Sequence, residues 1–577
     1  MSVEKLIVDH METWTSALQT RSTAGRGSSG KIDLYGIKKL RELILELAVR
    51  GKLVPQDPND EPASELLKRI AAEKAELVKQ GKIKKQKPLP EISEEEKPFE
   101  LPQGWEWVRL GDATYNRDAE RIPLSSDERM NRKGDFDYYG ASGIIDKIDD
   151  YIFDKPLLLI GEDGANLINR STPIAFMAYG QFWVNNHAHV LDGISEDFLN
   201  YLCIYINAIS LENYITGTAQ PKMNQAKMNT ILIGLPPEHE QLKIKNKVTE
   251  LLSLCDQLEQ QSLTSLDAHQ QLVETLLGTL TDSQNAEELA ENWARISEHF
   301  DTLFTTEASV DALKQTILQL AVMGKLVPQD PNDEPASELL KRIAQEKAQL
   351  VKEGKIKKQK PLPPISDEEK PFELPEGWEW CRLGDLALKS EAGWSPQCEN
   401  EPRSGNQWGV LKISAVTWGE YRPQENKALP AHLLPRQEYE VKDNDFLISR
   451  ANTSELVARS VVVPENPPIN LMLSDKIIRF EFSSFANPYY INLVNNSVFS
   501  RKYYKDVAGG TSSSMKNVSR NQVSELVIAL PCYKEQLKIT ETLKQYMKIC
   551  EELSSQIQSA QQTQLHLTDA LTDAATN

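Results

Sequence analysis

The sequence predicts an α+β fold, with two mixed α/β, sheet-rich globular domains separated by long antiparallel coiled-coil helices in an internal pseudo-twofold repeat. Three observations predict it. Two stretches of the chain are nearly identical, a variable stretch of domain size follows each of them, and a helical apolar pattern follows each variable stretch. The 577 residues also exceed the roughly 250–300 residues that one hydrophobic core supports, so several domains are expected.

The repeat is a duplication. Residues 51–112 align without a gap with residues 324–385, and 55 of these 62 positions are identical. In each copy a helix is expected to begin near a proline and to end at a glycine, because proline suits the first helical turn and glycine the position after the last. These positions are Pro62 and Gly81 in the first copy, and Pro335 and Gly354 in the second.

A second, weaker repeat marks the helices downstream of the variable stretches. Apolar residues there step by three and four, which is the spacing of a coiled-coil seam. The two stripes are Ile244, Val248, Leu251, Cys255 and Leu258, and Ile539, Leu543, Tyr546, Cys550, Leu553, Ile557 and Ala560. Their matched registers favour packing of the stripes on each other. The alternative, that each stripe faces its neighbouring domain, stays open.

These repeats divide the chain into five parts. They are an N-terminal helical arm (1–99), a first variable domain (100–236), a central helical region with a copy of the arm (237–373), a second variable domain (374–531) and a C-terminal helix (532–577). Short runs rich in β-branched and aromatic residues, bounded by Gly and Asp turns, predict strands in both variable domains.

Polar loops between these strands are the candidate binding regions. Asn, Gln, Arg, Lys, Ser and Thr on loops are the residue types that hydrogen-bond base edges and phosphates of DNA. In the first variable domain the candidates are Tyr138, Tyr139, Ser142, Asn166, Asn185, Asn186, His187, His189, Thr218, Gln220, Lys222 and Asn224. In the second they are Arg450, Asn452, Thr453, Ser454, Lys476, Thr511, Ser513, Lys516 and Asn517. Ordinary turn chemistry is the alternative for any single loop.

The net charge of −19 counts against a simple DNA-binding surface, which should be basic. Residues 113–233 carry 10 basic and 16 acidic side chains, whereas residues 386–529 carry 16 and 15. A local basic face is therefore compatible with the composition. Weak DNA binding is expected for the chain alone.

Three motifs suggest catalysis or metal binding and fail on inspection. Residues 25–31 have P-loop spacing, but Ile32 stands where Ser or Thr must reach magnesium. Residues 466–469 read Asn-Pro-Pro-Ile and lack the aromatic residue that would stack on a flipped base. His187 and His189 have no third His or Cys ligand nearby, so a core or DNA-facing role is favoured. We expect no catalytic residue and no metal site.

Cysteine usage and hydropathy indicate a cytoplasmic protein. The six cysteines include no CxxC pair, so reduced thiols are expected. No run of about 18 apolar residues occurs, and acidic residues stand where a signal peptide needs basic and apolar ones. No membrane partner is expected.

Three motifs carry a resemblance to a known family. LP-x-GWEW-x-RLGD opens each variable domain (101–112 and 374–385), YYGASGIID and LLIGEDGAN occur in the first, and Leu-Pro before a Gln- and Leu-containing helix closes each (235 and 530). The chain resembles, over about its full length, the specificity (S) subunit of type I restriction-modification systems.

The resemblance implies two target recognition domains, each reading one half of an interrupted sequence in double-stranded DNA, with the helices setting the gap. It implies two modification subunits, docked on the repeated regions, that hold S-adenosylmethionine and methylate adenine. Restriction subunits using ATP and Mg²⁺ would join them, and this chain would hold no cofactor and no active site. The alternatives are a coiled-coil protein adaptor without DNA readout and a self-contained DNA methyltransferase.

Overall fold

A computed structural model describes residues 3–21, 31–217, 220–510 and 515–576. Its contacts divide the chain into two compact units, residues 1–266 with 559–577 and residues 267–558. Each unit contains one arm copy and one variable domain. All six cysteines are free. Within the described ranges, no helix is long and apolar enough to span a membrane.

The first unit contains eleven α-helices or parts of them among its described residues. They are α1 (Val3–Asp9), α2 (Met11–Ser16), α3 (Tyr35–Val49), α4 (Ala63–Lys79), α5 (Leu110–Ala113), α6 (Ser126–Asn131), α7 (Asn166–Asn169), α8 (Glu196–Ala208), α9 (Gln225–Asn229), the start of α10 (Glu238–Asp282) and the end of α19 (Tyr533–Thr576). Its strands are β1 (Gln19–Arg21), β2 (Lys31–Asp33), β3 (Glu106–Arg109), β4 (Tyr115–Asn116), β5 (Lys133–Gly140), β6 (Gly143–Ile148), β7 (Leu157–Gly161), β8 (Ala175–Ala178), β9 (Phe182–Val184), β10 (Ala188–Asp192) and β11 (Leu232–Leu235).

The first variable domain is built on a four-stranded sheet in the order β4-β10-β7-β8. Its central strand β7 is buried on both faces, which is why its sequence is continuously apolar. Leu158 and Ile160 face the core shared with α8, whereas Leu157 and Leu159 face a second core lined by Phe153 and other residues. A three-stranded sheet β6-β5-β9 and the pair β3–β11 complete the domain.

The second unit holds the matching elements. Its helices are α11 (Ala286–Glu298), α12 (Phe300–Leu303), α13 (Glu307–Val322), α14 (Ala336–Lys352), α15 (Leu383–Leu386), α16 (Pro488–Asn496), α17 (Val498–Val507), α18 (Arg520–Ser524) and α19 (Tyr533–Thr576). Its strands are β12 (Glu379–Arg382), β13 (Ala387–Ala392), β14 (Gly409–Leu411), β15 (Asn426–Ala428), β16 (Phe446–Ser449), β17 (Ala451–Asn452), β18 (Ser460–Val462), β19 (Leu471–Met472), β20 (Ile477–Phe482), β21 (Lys516–Asn517) and β22 (Val527–Leu530).

The main sheet of the second variable domain has the same topology as that of the first. Its order is β13-β20-β16-β18, with β20 and β16 in the places of β10 and β7. Additional sheets β15-β14-β19 and β17–β21 distinguish this domain, and β12–β22 repeats β3–β11. The predicted fold class, two sheet-rich domains with long helices between them, is confirmed.

Each variable domain is fixed to the start of its long helix by a buried glutamate. In the first unit the Trp105 indole donates to one carboxylate oxygen of Glu240 at 3.0 Å, and the Gln56 amide donates to the other at 3.1 Å. The second unit repeats both bonds, each at 3.1 Å, with Trp378, Gln329 and Glu535. The near-identical arm therefore contacts its own domain and helix in the same way twice.

The apolar stripes of the long helices lie in different units. The α10 stripe from Ile244 to Leu258 packs on α3 in the first unit, where Arg41 forms an ion pair with Asp256 at 2.6 Å. The α19 stripe packs in the second unit on α13 and the last turns of α10. The prediction that the stripes pack on each other is wrong, because each arm supplies an apolar helix next to its own stripe. Tyr546 is 41% exposed, so it lies outside the buried face.

Each arm also binds the carboxyl end of the long helix that begins in the other unit. The Lys52 ammonium donates to the carbonyl of Thr576 at 2.7 Å in the first unit. In the second, Lys325 donates to the carbonyls of Thr281 and Ser283 at 2.7 and 2.8 Å. A lysine at these free carbonyls suits the partial negative charge of a helix carboxyl end. α10 thus runs from the first unit into the second, and α19 from the second into the first.

Candidate nucleic-acid interface

In the second unit three polar segments that are far apart in sequence meet at the end of β16. The backbone N–H of Arg450 donates to the carbonyl of Lys476 at 2.8 Å, and that of Val518 donates to the carbonyl of Arg450 at 2.9 Å. β17 pairs with β21, which places Asn452 opposite Lys516. Segments 449–454, 474–476 and 515–518 therefore form one edge of the domain, which we call the second recognition edge.

The first unit has an equivalent edge at the end of β7. The N–H of Glu162 donates to the carbonyl of His187, and that of Met223 donates to the carbonyl of Glu162, both at 2.8 Å. Asp163 forms an isolated bridge with Lys222. Segments 161–166, 185–189 and 220–224 make up this first recognition edge. By backbone bonding, Glu162 occupies the position that Arg450 occupies in the second unit.

The second edge presents several exposed polar side chains. Arg450 is exposed, and its guanidinium has no hydrogen bond or ion pair within the part of the chain that the structure describes. Lys476 is exposed beside Asp475 at 2.9 Å, and Asn517 is exposed. The Lys516 ammonium donates to the carbonyl of Gly510 at 2.7 Å.

Three other predicted residues of the second domain are partly buried, and two lie outside the description. Asn452 donates to the hydroxyl of Thr417 at 3.4 Å and accepts from the N–H of Thr453 at 2.8 Å. Thr453 and Ser454 are partly exposed. Thr511 and Ser513 lie outside the described residues.

On the first edge the exposed predicted residues differ in whether their side chains contact other residues of the domain. Ser142, Asn186 and Gln220 are exposed. His187 is exposed, with Nδ1 at 2.8 Å from a carboxylate oxygen of Asp163. Lys222 and Asn224 are also exposed. The Lys222 ammonium lies 3.2 Å from a carboxylate oxygen of Glu162, and the Asn224 side chain caps α9. Thr218 lies outside the described residues.

Five predicted residues of the first domain belong to the scaffold instead. Tyr138, Tyr139 and His189 are buried, the first two because β5 lies between β6 and β9 and packs into two cores. Asn185 is also buried, and its side-chain oxygen accepts from the N–H of His187 at 2.8 Å. Asn166 uses its amide on the loop itself, donating to the carbonyl of Thr172 at 3.0 Å. These side chains shape the edge without being presented at its surface.

A buried charge network behind the first edge was missed by the sequence analysis. His189 has Nδ1 at 2.7 Å from Asp118 and Nε2 at 2.9 Å from the carbonyl of Met223. Arg121 lies 3.0 Å from Glu162, which also pairs with Lys222. The network ties β10 to the loops before β5 and after β7. The His-x-His spacing was its only sequence signal.

Burial and charge act in opposite directions on the two carboxylates of this network. Burial opposes ionisation of Asp118, but His189 and Arg121 hold its pKa below the usual range. Burial likewise opposes ionisation of Glu162, and the charges and hydrogen bonds of its cationic neighbours hold its pKa low. Both groups are therefore carboxylates at neutral pH, and Arg121 and Lys222 form ion pairs with them.

The structure describes only part of the rejected catalytic motifs. Residues 25–30 of the P-loop-like segment lie outside the described residues. Asn466 starts a loop between β18 and β19 with a left-handed backbone, φ 55°. Across the described ranges, no group of three or more His, Cys, Asp or Glu side chains is arranged to hold a metal ion.

Comparison with known proteins gives full-length matches. The family model of the type I restriction modification DNA specificity domain matches residues 102–268 and 375–560. The chain is 56% identical over 604 residues to the type I restriction enzyme EcoEI specificity subunit of Escherichia coli, covering 100% of both chains. It is 52% identical over 611 residues to the EcoAI specificity subunit of the same species, again covering 100% of both. The HsdS subunit from Thermoanaerobacter tengcongensis is 16% identical, with a TM-score of 0.37, over 83% of this chain and 98% of that one.

Proposed function

Because the chain belongs to the type I restriction-modification DNA specificity family, we propose how its two units share the reading of DNA. The chain is the non-catalytic specificity subunit. Each variable domain reads one half of a bipartite target through its recognition edge, and the long helices set the gap between the halves. The protein acts in the cytoplasm.

The observation that carries this proposal is the matched pair of edges. The same sheet topology and the same backbone bonds hold Glu162 in one unit at the position of the exposed Arg450 in the other. A shared scaffold with unlike side chains suits the reading of two unlike half-sites, because sequence is read by side chains at base edges. The exposed residues of each edge are the proposed DNA contacts.

The repeated parts serve identical partners under this proposal. The arm copies and helix starts are nearly identical in sequence and in contacts such as Trp105–Glu240 and Trp378–Glu535. Two modification subunits dock on these repeated regions, and restriction subunits join them. The partners hold S-adenosylmethionine, ATP and Mg²⁺, and this chain holds no cofactor.

Mapping of methylated sites tests the proposal. The chain is co-expressed with the modification subunits encoded beside it, and genomic methylation is compared between the parent, Asn186→Ala and Arg450→Ala. Each variant should relax or change one half of the motif and leave the other half and the gap intact. A lost base contact removes about 1–3 kcal/mol of discrimination at one position.

The control is Arg295→Gln, which removes an exposed charge from α11 and should leave the motif as it is. The two variants should affect opposite halves. An unchanged motif in both, or the same half altered in both, would contradict the assignment of one edge to each half-site.

A further inference from the structure

Two arginines beside the second recognition edge lack an acidic partner. Arg459 and Arg501 are both partly buried. Arg501 donates to the carbonyls of Val457 at 2.6 Å and Ala458 at 3.1 Å, and its Nε has no hydrogen-bond partner. The Arg459 side chain forms no hydrogen bond or ion pair with any residue that the structure describes. Glu455 influences both charges but forms no ion pair with either.

Unneutralised cations in this position are unfavourable. Removing a charge from water costs several kcal/mol unless a partner of opposite sign is supplied. Burial lowers the pKa of Arg459, and burial together with the charge of Arg459 lowers the pKa of Arg501 to about 10. The pair therefore lacks one component, an anion.

Arg459 borders an open space of the second unit. Arg459 lines a cavity of about 1190 Å³ within the second unit, together with Asn492, Asn496 and Ser497. The ten-residue helix α17 begins at this cavity, so its first N–H groups add partial positive charge. The Arg459 guanidinium and the amino end of α17 suit an oxyanion, and Lys544 lines the same cavity as the carboxylate of Glu541.

Backbone bonds place the pair next to the recognition edge. The N–H of Ser449 donates to the carbonyl of Arg459 at 2.8 Å, so Arg459 lies across from the residue before Arg450. Arg501 holds the adjoining loop at Ala458, a non-glycine residue with a left-handed φ of 58°. Strained residues of this kind persist where the surrounding structure fixes a site.

We propose that Arg459 binds a backbone phosphate of DNA beside the half-site of the second domain, with the charge of Arg501 adding to the attraction. The proposal rests on the proposed function. The planar guanidinium fork matches phosphate geometry. A phosphate is favoured over a carboxylate of a protein partner because the site adjoins the edge that carries Arg450. Phosphate contacts position a protein on the duplex without reading its sequence.

The first variable domain offers a contrast. Its four arginines between residues 117 and 132 all pair with carboxylates, as in Arg121–Glu162 at 3.0 Å and Arg129–Asp146 at 3.2 Å. An arginine that is already neutralised by a carboxylate of its own domain contributes less free energy to binding a phosphate. These four arginines are therefore less available to a phosphate than Arg459 is.

The test measures salt dependence of DNA binding by the full chain in complex with its modification subunits. Short duplexes with the mapped motif or a scrambled sequence are titrated at several KCl concentrations, with parent and Arg459→Gln. Losing one phosphate contact should reduce the slope of log K against log salt by about 0.9. Affinity for both duplexes should fall by the same factor, and the methylated motif should stay unchanged.

Two variants control for charge and folding. Arg459→Lys keeps the charge and should keep most of the slope, whereas Arg295→Gln removes an exposed charge elsewhere in the unit and should leave the slope unchanged. Arg459→Gln should unfold at no lower temperature than the parent, because it removes an uncompensated charge. An unfolding temperature below that of the parent would show that misfolding, and not the lost phosphate contact, had reduced the salt dependence.

If Arg459→Gln leaves the slope of log K against log salt unchanged, the proposal is overturned. If the slope is unchanged and the variant also retains the modification subunits less well, the ligand of Arg459 is a carboxylate of that protein partner, and the proposal is again overturned. A reduced slope on the scrambled duplex, with no preference of the parent for its motif, would uphold the phosphate site and contradict the proposed function.

Discussion

Glu240 shows how one buried carboxylate joins three parts of the first unit. It lies at the start of α10 and accepts one hydrogen bond from the first variable domain, through Trp105, and one from the arm, through Gln56. Burial raises the pKa of Glu240 despite both bonds, so its charged form depends on them. Glu535 has the same two kinds of partner, and burial raises its pKa as well.

Trp105→Phe should therefore destabilise the first unit by about 1–3 kcal/mol at neutral pH, because a buried acceptor loses its donor. The folded-state pKa is raised, so the loss should shrink as pH falls and the carboxyl takes up a proton. Thermal unfolding at neutral and mildly acidic pH measures both effects. Trp107→Phe, at a partly buried tryptophan without this bond, is the control. Equal losses in the two variants at both pH values would refute the role of Glu240.

The network around Asp118 predicts the opposite pH dependence. Its pKa and that of Glu162 are held low in the folded state, so both contribute stability above the unfolded carboxyl pKa of about 4. This stability should be lost as pH falls through the folded-state values. Asp118→Asn should be less stable at neutral pH by about 3–5 kcal/mol and should show a flatter acid dependence.

The stability of parent and Asp118→Asn is measured at a series of decreasing pH values, with circular dichroism as the signal of unfolding. Asp163→Asn is the matched control because its carboxylate is more exposed and pairs with the exposed His187. It should retain the acid dependence of the parent. Parallel curves for parent and Asp118→Asn would show that the network does not couple to folding.

At the scale of elements, the strands were largely predictable and their meeting points were not. LLLIG and FLIS read as strands because β7 and β16 are buried on both faces. The Pro-to-Gly limits of α4 and α14 were also predicted, since capping acts locally. The approach of Lys476 to Arg450 depends on strand pairing across the sheet, and no local pattern encodes it.

The stripe of α19 shows where periodicity misleads. A three-four spacing identifies a buried face but does not name the surface that covers it. Leu543, Cys550 and Leu553 are covered by α13 and the end of α10, while Tyr546 turns away. The arm copies supply the helices that cover the stripes. The apolar spacing within each arm copy was the sequence feature that indicated such a covering helix. The buried Tyr138 was mistaken for a loop contact because its strand ends in a Gly-rich turn.

At the scale of the whole molecule, net charge describes the DNA-binding surface poorly. The chain carries −19, yet the second variable domain presents Arg450, Arg459 and Lys476 along one edge and its flank. The first domain neutralises most of its cations internally, as Lys222 does with Glu162. Affinity for a duplex depends on cations left free for phosphates. We expect the chain alone to bind DNA weakly and its partners to complete the binding surface.

Helix length is the remaining whole-molecule variable. α10 has 45 residues and is therefore about 68 Å long at 1.5 Å per residue. α10 passes from the first unit into the second and α19 from the second into the first, so a test of the proposed spacer lengthens both helices. Inserting four residues after Leu263 and four after Gln558 adds about one turn, or 6 Å, to each helix.

This double insertion should lengthen the gap of the DNA target by about one or two base pairs, since successive base pairs rise about 3.4 Å. Both half-sites should stay the same, because neither recognition edge is touched. Methylated sites of the double-insertion chain, co-expressed with the modification subunits, provide the measurement. Insertion into α10 alone should abolish methylation, since α19 would still hold the original length. Altered half-sites with an unchanged gap would mean that the helices do not set the spacing.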